Sequence, residues 1–207
     1  DSHDDLMKKI ESELAAGYQR IKIKVKPGWD LDVLAKTRKH WPEILLSCDA
    51  NSAYRPSDLE HLRKFDDFNL LMIEQPLWDD DIFHHAKLQR ELKTSICLDE
   101  SIRHRRDAEQ AISLGACRIM NIKVGRVGGF TEAIAVHDQC LQHNIPVWCG
   151  GMLDVSASKR YWEEDIVEPE ITVTAQGTIP VTEAPGTGYE LRKDLISKLT
   201  VRSLEIP

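Results

Sequence analysis

The sequence has 207 residues, 42% hydrophobic and 29% charged, which supplies one packed core and excludes a disordered chain. A net charge of -7 without a basic cluster excludes a nucleic-acid partner, because phosphate binding needs concentrated Lys and Arg. No apolar run approaches the roughly 18 residues of a membrane helix, and no signal peptide is evident, so a cytoplasmic protein with no membrane contact is expected.

Charged amphipathic stretches alternate with short apolar runs, the signature of βα units around a parallel sheet. In chain order the pattern predicts helices over 4–17, 30–40, 57–67, 80–92, 104–114 and 129–143. The strands predicted between and after them are 19–25, 44–49, 69–74, 95–99, 117–123 and 145–149. Beyond Ile166 the sequence turns rich in Thr, Gly and Pro with short β-like runs. The expected organisation is a β/α-barrel catalytic domain over 1–166 and a C-terminal extension over 167–207 that packs on the barrel or on a neighbouring domain. The five cysteines, Cys48, Cys97, Cys117, Cys140 and Cys149, show no CxxC or zinc spacing and read as small core residues of a reducing compartment. The eight histidines fall mostly in helical stretches such as His84-His85 and read as solvated.

Each predicted strand is closed by a polar group or a glycine: Lys24, Asp49, Glu74, Asp99, Lys123, then Cys149-Gly150-Gly151. The intervals are 25, 25, 25, 24 and 26 residues. In a β/α barrel the C-terminal strand ends meet at the face where active sites form, so this spacing gathers five ionisable groups from distant parts of the chain. A full barrel needs eight strands in about 250 residues. Six such ends and an opening helix therefore predict an incomplete barrel, short of material at the front.

Three carboxylates at one barrel mouth repel each other unless a cation neutralises them. Asp49, Glu74 and Asp99 are thus candidate ligands, and all-oxygen ligation favours Mg²⁺, with Mn²⁺ as a substitute. Lys22 and Lys24 lie two apart on a strand and so share a face. Side by side they are expected to depress each other's pKa, which suits Lys24 to a general base with Lys22 tuning it, while Lys26 falls at the rim. Lys123 would then face Lys24 across the carboxylates, as a second acid/base or an electrostatic support for an enolate. Asn51 and the Gly150-Gly151-Met152 turn are candidate substrate contacts, through an amide and backbone N–H groups. Gly128-Gly129 either begins a helix or binds an anion.

Those residues sit in KIK at 22–24, CDANSAY at 48–54, IEQPL at 73–77, LDES at 98–101, NIKVGRVGG at 121–129 and VWCGGML at 147–153. On these motifs the chain resembles the enolase superfamily, in its muconate-lactonising subgroup. KIKVKPGWD and PVWCGGML look most like the members that are o-succinylbenzoate synthases or that racemise N-acylamino acids. The resemblance implies a TIM-like (β/α)7β barrel, Mg²⁺ on Asp49, Glu74 and Asp99, a small carboxylate substrate, and abstraction of the proton beside that carboxylate. For the synthase it implies that Lys24 starts the syn dehydration of 2-succinyl-6-hydroxy-2,4-cyclohexadiene-1-carboxylate, a step of menaquinone biosynthesis. For the racemase, Lys24 and Lys123 exchange protons on opposite faces. It also implies an N-terminal capping domain, a first strand and a segment near 153/154 that this sequence lacks, and a homo-oligomer for the full-length protein. The alternatives are a dedicated N-acylamino acid racemase, a Schiff-base aldolase using Lys123, and a non-catalytic metal-binding barrel.

Overall fold

A computed structural model describes residues 2–150, 162–180 and 182–204. The chain divides into two compact units: Asp1–Ile10 with Gln19–Asp154, and Glu11–Tyr18 with Val155–Pro207. In the first, six strands form one parallel sheet in chain order: β1 (Arg20–Lys24), β2 (Leu45–Asp49), β3 (Ile73–Glu74), β4 (Ile96–Leu98), β5 (Ile119–Asn121) and β6 (Val147–Trp148). This is the predicted βα alternation, with six of the eight strands of a closed barrel. The helices are α1 (His3–Ala15), α2 (Leu31–His40), the short α3 (Leu59–Leu62), α4 (Ile82–Glu91), α5 (Arg105–Leu114) and α6 (Phe130–Gln142). Among the described residues no helix is long and apolar enough to cross a membrane.

Alternation along β1 buries Ile21 and Ile23 on one face and leaves Lys22 and Lys24 on the other. Leu46, Cys48, Ile73, Ile96, Leu98 and Met120 continue the core across the sheet, each fully buried. Asp30 starts α2 by accepting from the Leu31 N–H at 2.7 Å. Its other oxygen lies 2.7 Å from both the Tyr54 hydroxyl and His61 Nε2, which ties α2 to the segment after β2. Burial first, then Asp30, pushes the Tyr54 hydroxyl well above its ordinary pKa, so it stays protonated and donates.

The predicted helix over 57–67 is broken. Pro56–Asp58 and Arg63–Phe68 are 3₁₀ turns flanking α3, and Asn69 is left-handed. The cause is tertiary: the Asp66 carboxylate accepts the N–H groups of Lys93 and Thr94 at 2.9 and 2.7 Å, fixing this turn against the entry to β4. Gly128 and Gly129, at φ +91 and +118, lead into α6. In the second unit, β7 (Val167–Glu168) and β8 (Glu190–Leu191) pair antiparallel, and α7 (Lys193–Leu199) is a helix the sequence reading had not marked.

Four cysteines are buried, while Cys149, next to the end of β6, is partly exposed. The expectation of solvated histidines fails at His85, which is fully buried. Its Nδ1 lies 2.7 Å from the Asp81 carbonyl and its Nε2 accepts the Leu77 N–H at 3.1 Å, so the neutral tautomer protonated on Nδ1 fits. Burial lowers its pKa from 6.5 to about 4. The folded protein thus resists protonation that the unfolded chain accepts, so stability is complete above pH 6.5 and is lost as the pH falls toward 4. Between pH 7 and pH 5 this amounts to about 2 kcal/mol. Urea denaturation of the wild type at those two pH values, set against His85→Gln, checks it. An equal loss in the variant rules the assignment out.

Candidate active site

Parallel pairing in register carries one charged side chain to the end of each of β1, β2 and β3. Lys24 pairs with Asp49, and Asp49 with Glu74, in neighbouring rungs. Asp99 follows β4 directly, and Lys123 lies two residues beyond β5. Three carboxylate-bearing strands therefore stand between the two lysines, as the interval of about 25 residues predicts.

The carboxylates are nearly inaccessible: Asp49 is 3% exposed, Glu74 0% and Asp99 1%. Lysines meet all three. Lys22 Nζ donates to Glu74 Oε2 at 2.7 Å, Lys24 Nζ to Asp49 Oδ2 at 2.6 Å, and Lys123 Nζ to Asp99 Oδ2 at 2.7 Å. Lys24 also donates to Asn51 Oδ1 at 2.5 Å, while the Asn51 amide donates to Glu100 at 2.9 Å. Burial raises the Glu74 pKa and the charge on Asp49 adds to it, against the pull of Lys22 and Asn121. An open cavity of about 790 Å³ runs along β1, bordered by residues of both its faces (Lys22, Ile23, Lys24, Val25) and by Asp5 and Leu6 of α1; none of the three carboxylates lines it.

Three residues that sequence reasoning missed complete the constellation. Asn121, 1% exposed, donates to Glu74 Oε1 at 2.7 Å and accepts the Gly150 N–H at 2.9 Å. Gly150 has no room for a side chain, since a Cβ there would stand 2.7 Å from Asn121 Oδ1 and 3.0 Å from Lys123 Cε. The Arg126 guanidinium lies 2.6 Å from Asp99 Oδ1 without hydrogen-bond alignment, and it donates to the carbonyls of Ile102 and Asn121 at 2.9 and 3.2 Å. Gln75 links β3 to the turn after β4 through its side-chain amide. Asn121 shares the parity of Lys123, and that signal could have placed it on the same face. Gly151 and Met152 lie outside the described residues.

Three buried carboxylates at adjacent strand ends suit a hard divalent cation, and Asp99 Oδ1, though ion-paired to Arg126, accepts no hydrogen bond. The donor chemistry fits. As placed, the lysines hold these oxygens, and among the described residues no three His, Cys, Asp or Glu side chains converge on one ion position. Binding therefore requires Lys22, Lys24 and Lys123 to yield their carboxylates.

The family model described as enolase C-terminal domain-like matches residues 5–195. The o-succinylbenzoate synthase of Geobacillus kaustophilus is 48% identical over 95% of this chain and 58% of its own length. An N-succinylamino acid racemase of Amycolatopsis sp. is 42% identical over 100% of this chain and 62% of its own length. That alignment runs over 229 positions, more than the 207 residues here, so about 22 positions of the relative have no counterpart. This chain spans about three fifths of the length of the curated relatives it matches. Among solved structures, an enolase superfamily member from Listeria innocua superposes with TM-score 0.89 at 38% identity, covering 95% of this chain and 59% of that one. A dipeptide epimerase from Cytophaga hutchinsonii, complexed with Mg and a dipeptide, gives TM-score 0.80 at 25% identity, covering 90% of this chain and 57% of that one. On this agreement of sequence, fold and strand-end chemistry, the chain belongs to the enolase C-terminal domain-like family of the enolase superfamily.

Proposed function

We propose that the full-length protein is a Mg²⁺-dependent o-succinylbenzoate synthase that also racemises N-succinylamino acids. The observation that carries this reading is two lysines flanking three buried carboxylates across five consecutive parallel strands. Relatives bearing each of the two names match nearly the whole chain, which supports a site that serves both reactions.

Asp49, Glu74 and Asp99 would hold Mg²⁺, with Mn²⁺ as a substitute. Bound there, the ion supplies positive charge that stabilises a substrate carboxylate as its neighbouring carbon loses a proton. Lys24, 67% exposed at the end of β1, takes that proton as general base. Lys123, at the far end of the carboxylate row, offers its ammonium to the negative charge that develops. In the synthase reaction the hydroxyl on the adjacent carbon then leaves as water, taking the proton that Lys24 has accepted on the same face. In the racemase reaction Lys123 returns a proton to the opposite face. Lys22, held against Glu74, orients the substrate carboxylate. Asn51 and the turn at Gly150-Gly151-Met152 contact the remainder of the substrate.

Full-length protein with Mg²⁺, assayed in parallel on the cyclohexadiene carboxylate and on N-succinylamino acids, is expected to turn over both. Turnover of the amino acids alone leaves a dedicated racemase. Mg²⁺ binding without α-proton exchange on either substrate leaves a non-catalytic barrel.

A further inference from the structure

Gln75 directly follows Glu74. It is fully buried, and its backbone stands at φ +39, a left-handed conformation uncommon for a long side chain. Every polar atom of its amide is used. Oε1 accepts the N–H groups of Asp99 at 2.9 Å and Ser101 at 3.2 Å. Nε2 donates to Ser101 Oγ at 2.7 Å and to the Leu77 carbonyl at 3.3 Å. The Gln75 N–H donates to the Cys97 carbonyl at 2.9 Å, which adds a backbone tie to β4. Three of these hydrogen bonds fasten the end of β3 to the turn that presents Asp99, a fourth ties it to β4, and together with the local bond to Leu77 they hold Gln75 in its strained conformation.

We infer that Gln75 is a positioning residue: by clamping the Asp99–Ser101 turn to the end of β3, it sets the separation of the Glu74 and Asp99 carboxylates and so the affinity of that pair for a divalent cation. This rests on the metal reading given under Proposed function. The physical reason is pre-organisation. A carboxylate whose backbone is already fixed loses less freedom on binding an ion, and removing an outer partner of this kind typically weakens metal affinity by roughly 10–100-fold.

The fold supplies its own control at the opposite end of β4. Gln89 is 3% exposed, accepts the Ile96 N–H at 2.7 Å and donates to the Thr94 carbonyl at 3.2 Å and the Leu92 carbonyl at 3.5 Å. It is a buried glutamine clamp of the same chemistry at the strand end remote from the carboxylates.

The test titrates Mg²⁺ calorimetrically into full-length wild type, Gln75→Met, Gln75→Asn and Gln89→Met. Methionine keeps the volume and loses the hydrogen bonds. Asparagine tolerates left-handed backbone and guards against a Gln75→Met that fails to fold, but its amide is one methylene too short to reach the turn. The Kd for Mg²⁺ is expected to rise about tenfold or more in either Gln75 variant and to stay within about twofold of wild type in Gln89→Met. Urea denaturation should show both methionine variants destabilised, so that stability and affinity separate. Unchanged Mg²⁺ affinity in the Gln75 variants overturns the inference and leaves the metal reading intact, and an equal loss in Gln89→Met overturns it as general loosening. A wild type that binds no Mg²⁺ overturns both.

Discussion

Lys24→Ala and Lys123→Ala in the full-length protein are each expected to lower kcat/KM for o-succinylbenzoate formation by about 10³–10⁴-fold, the upper range for loss of a positioned acid/base or charge-stabilising group. Folding should be nearly unaffected. The two side chains are 67% and 44% exposed, and each Asp they leave keeps another cation, Lys22 at 3.9 Å from Asp49 and Arg126 at 2.6 Å from Asp99. The two positions separate on N-succinylamino acids in D₂O. If the lysines serve opposite faces, Lys24→Ala retains α-proton exchange with one enantiomer and Lys123→Ala with the other, as NMR would register. Slow exchange of both enantiomers in both variants contradicts the two-face arrangement and leaves a single base.

Glu74→Gln is expected to abolish measurable Mg²⁺ binding and lower activity by about 10³-fold or more while leaving the denaturation midpoint close to wild type. Two opposing terms set that second outcome. Ionised Glu74 accepts from Lys22 and Asn121 at 2.7 Å each, and an amide forfeits part of this. Yet burial has already raised the Glu74 pKa, so the fold works against the charge it encloses, and a neutral isostere relieves that strain. Function and stability are thus expected to part company at this residue, as at sites held unfavourable for their task. A stability loss of about 3 kcal/mol or more, the magnitude for breaking a buried ion pair, would show that Glu74 is retained for structure.

The βα order and the ring of charged strand ends were legible because both follow from local pattern. An apolar run reads as a parallel strand whatever surrounds it, and a charge that ends such a run recurs once per unit. What escaped depends on partners remote in sequence. Asp66 breaks the third helix by capping a turn 27 residues away, and no local propensity encodes that. His85 looks like any polar helix residue until the Leu77 N–H comes to its ring. Gln75 and Arg126 lie inside recognised motifs, but their polar ends reach Ser101 and Ile102, so only the fold shows what they hold.

The uneven burial of the thiols has a practical side. Burial pushes Cys117 up to about 12 and Cys140 to about 11, and raises Cys48 and Cys97 well above the ordinary thiol value, so these four present little thiolate to an alkylating reagent. Cys149 is partly exposed and directly precedes Gly150, whose N–H bonds the same Asn121 amide that holds Glu74. Among these five thiols Cys149 is therefore the anchoring point for a fluorophore or spin label, one residue from the polar cluster. Rearrangement of that cluster when an ion or substrate arrives could be followed optically without engineering the protein first.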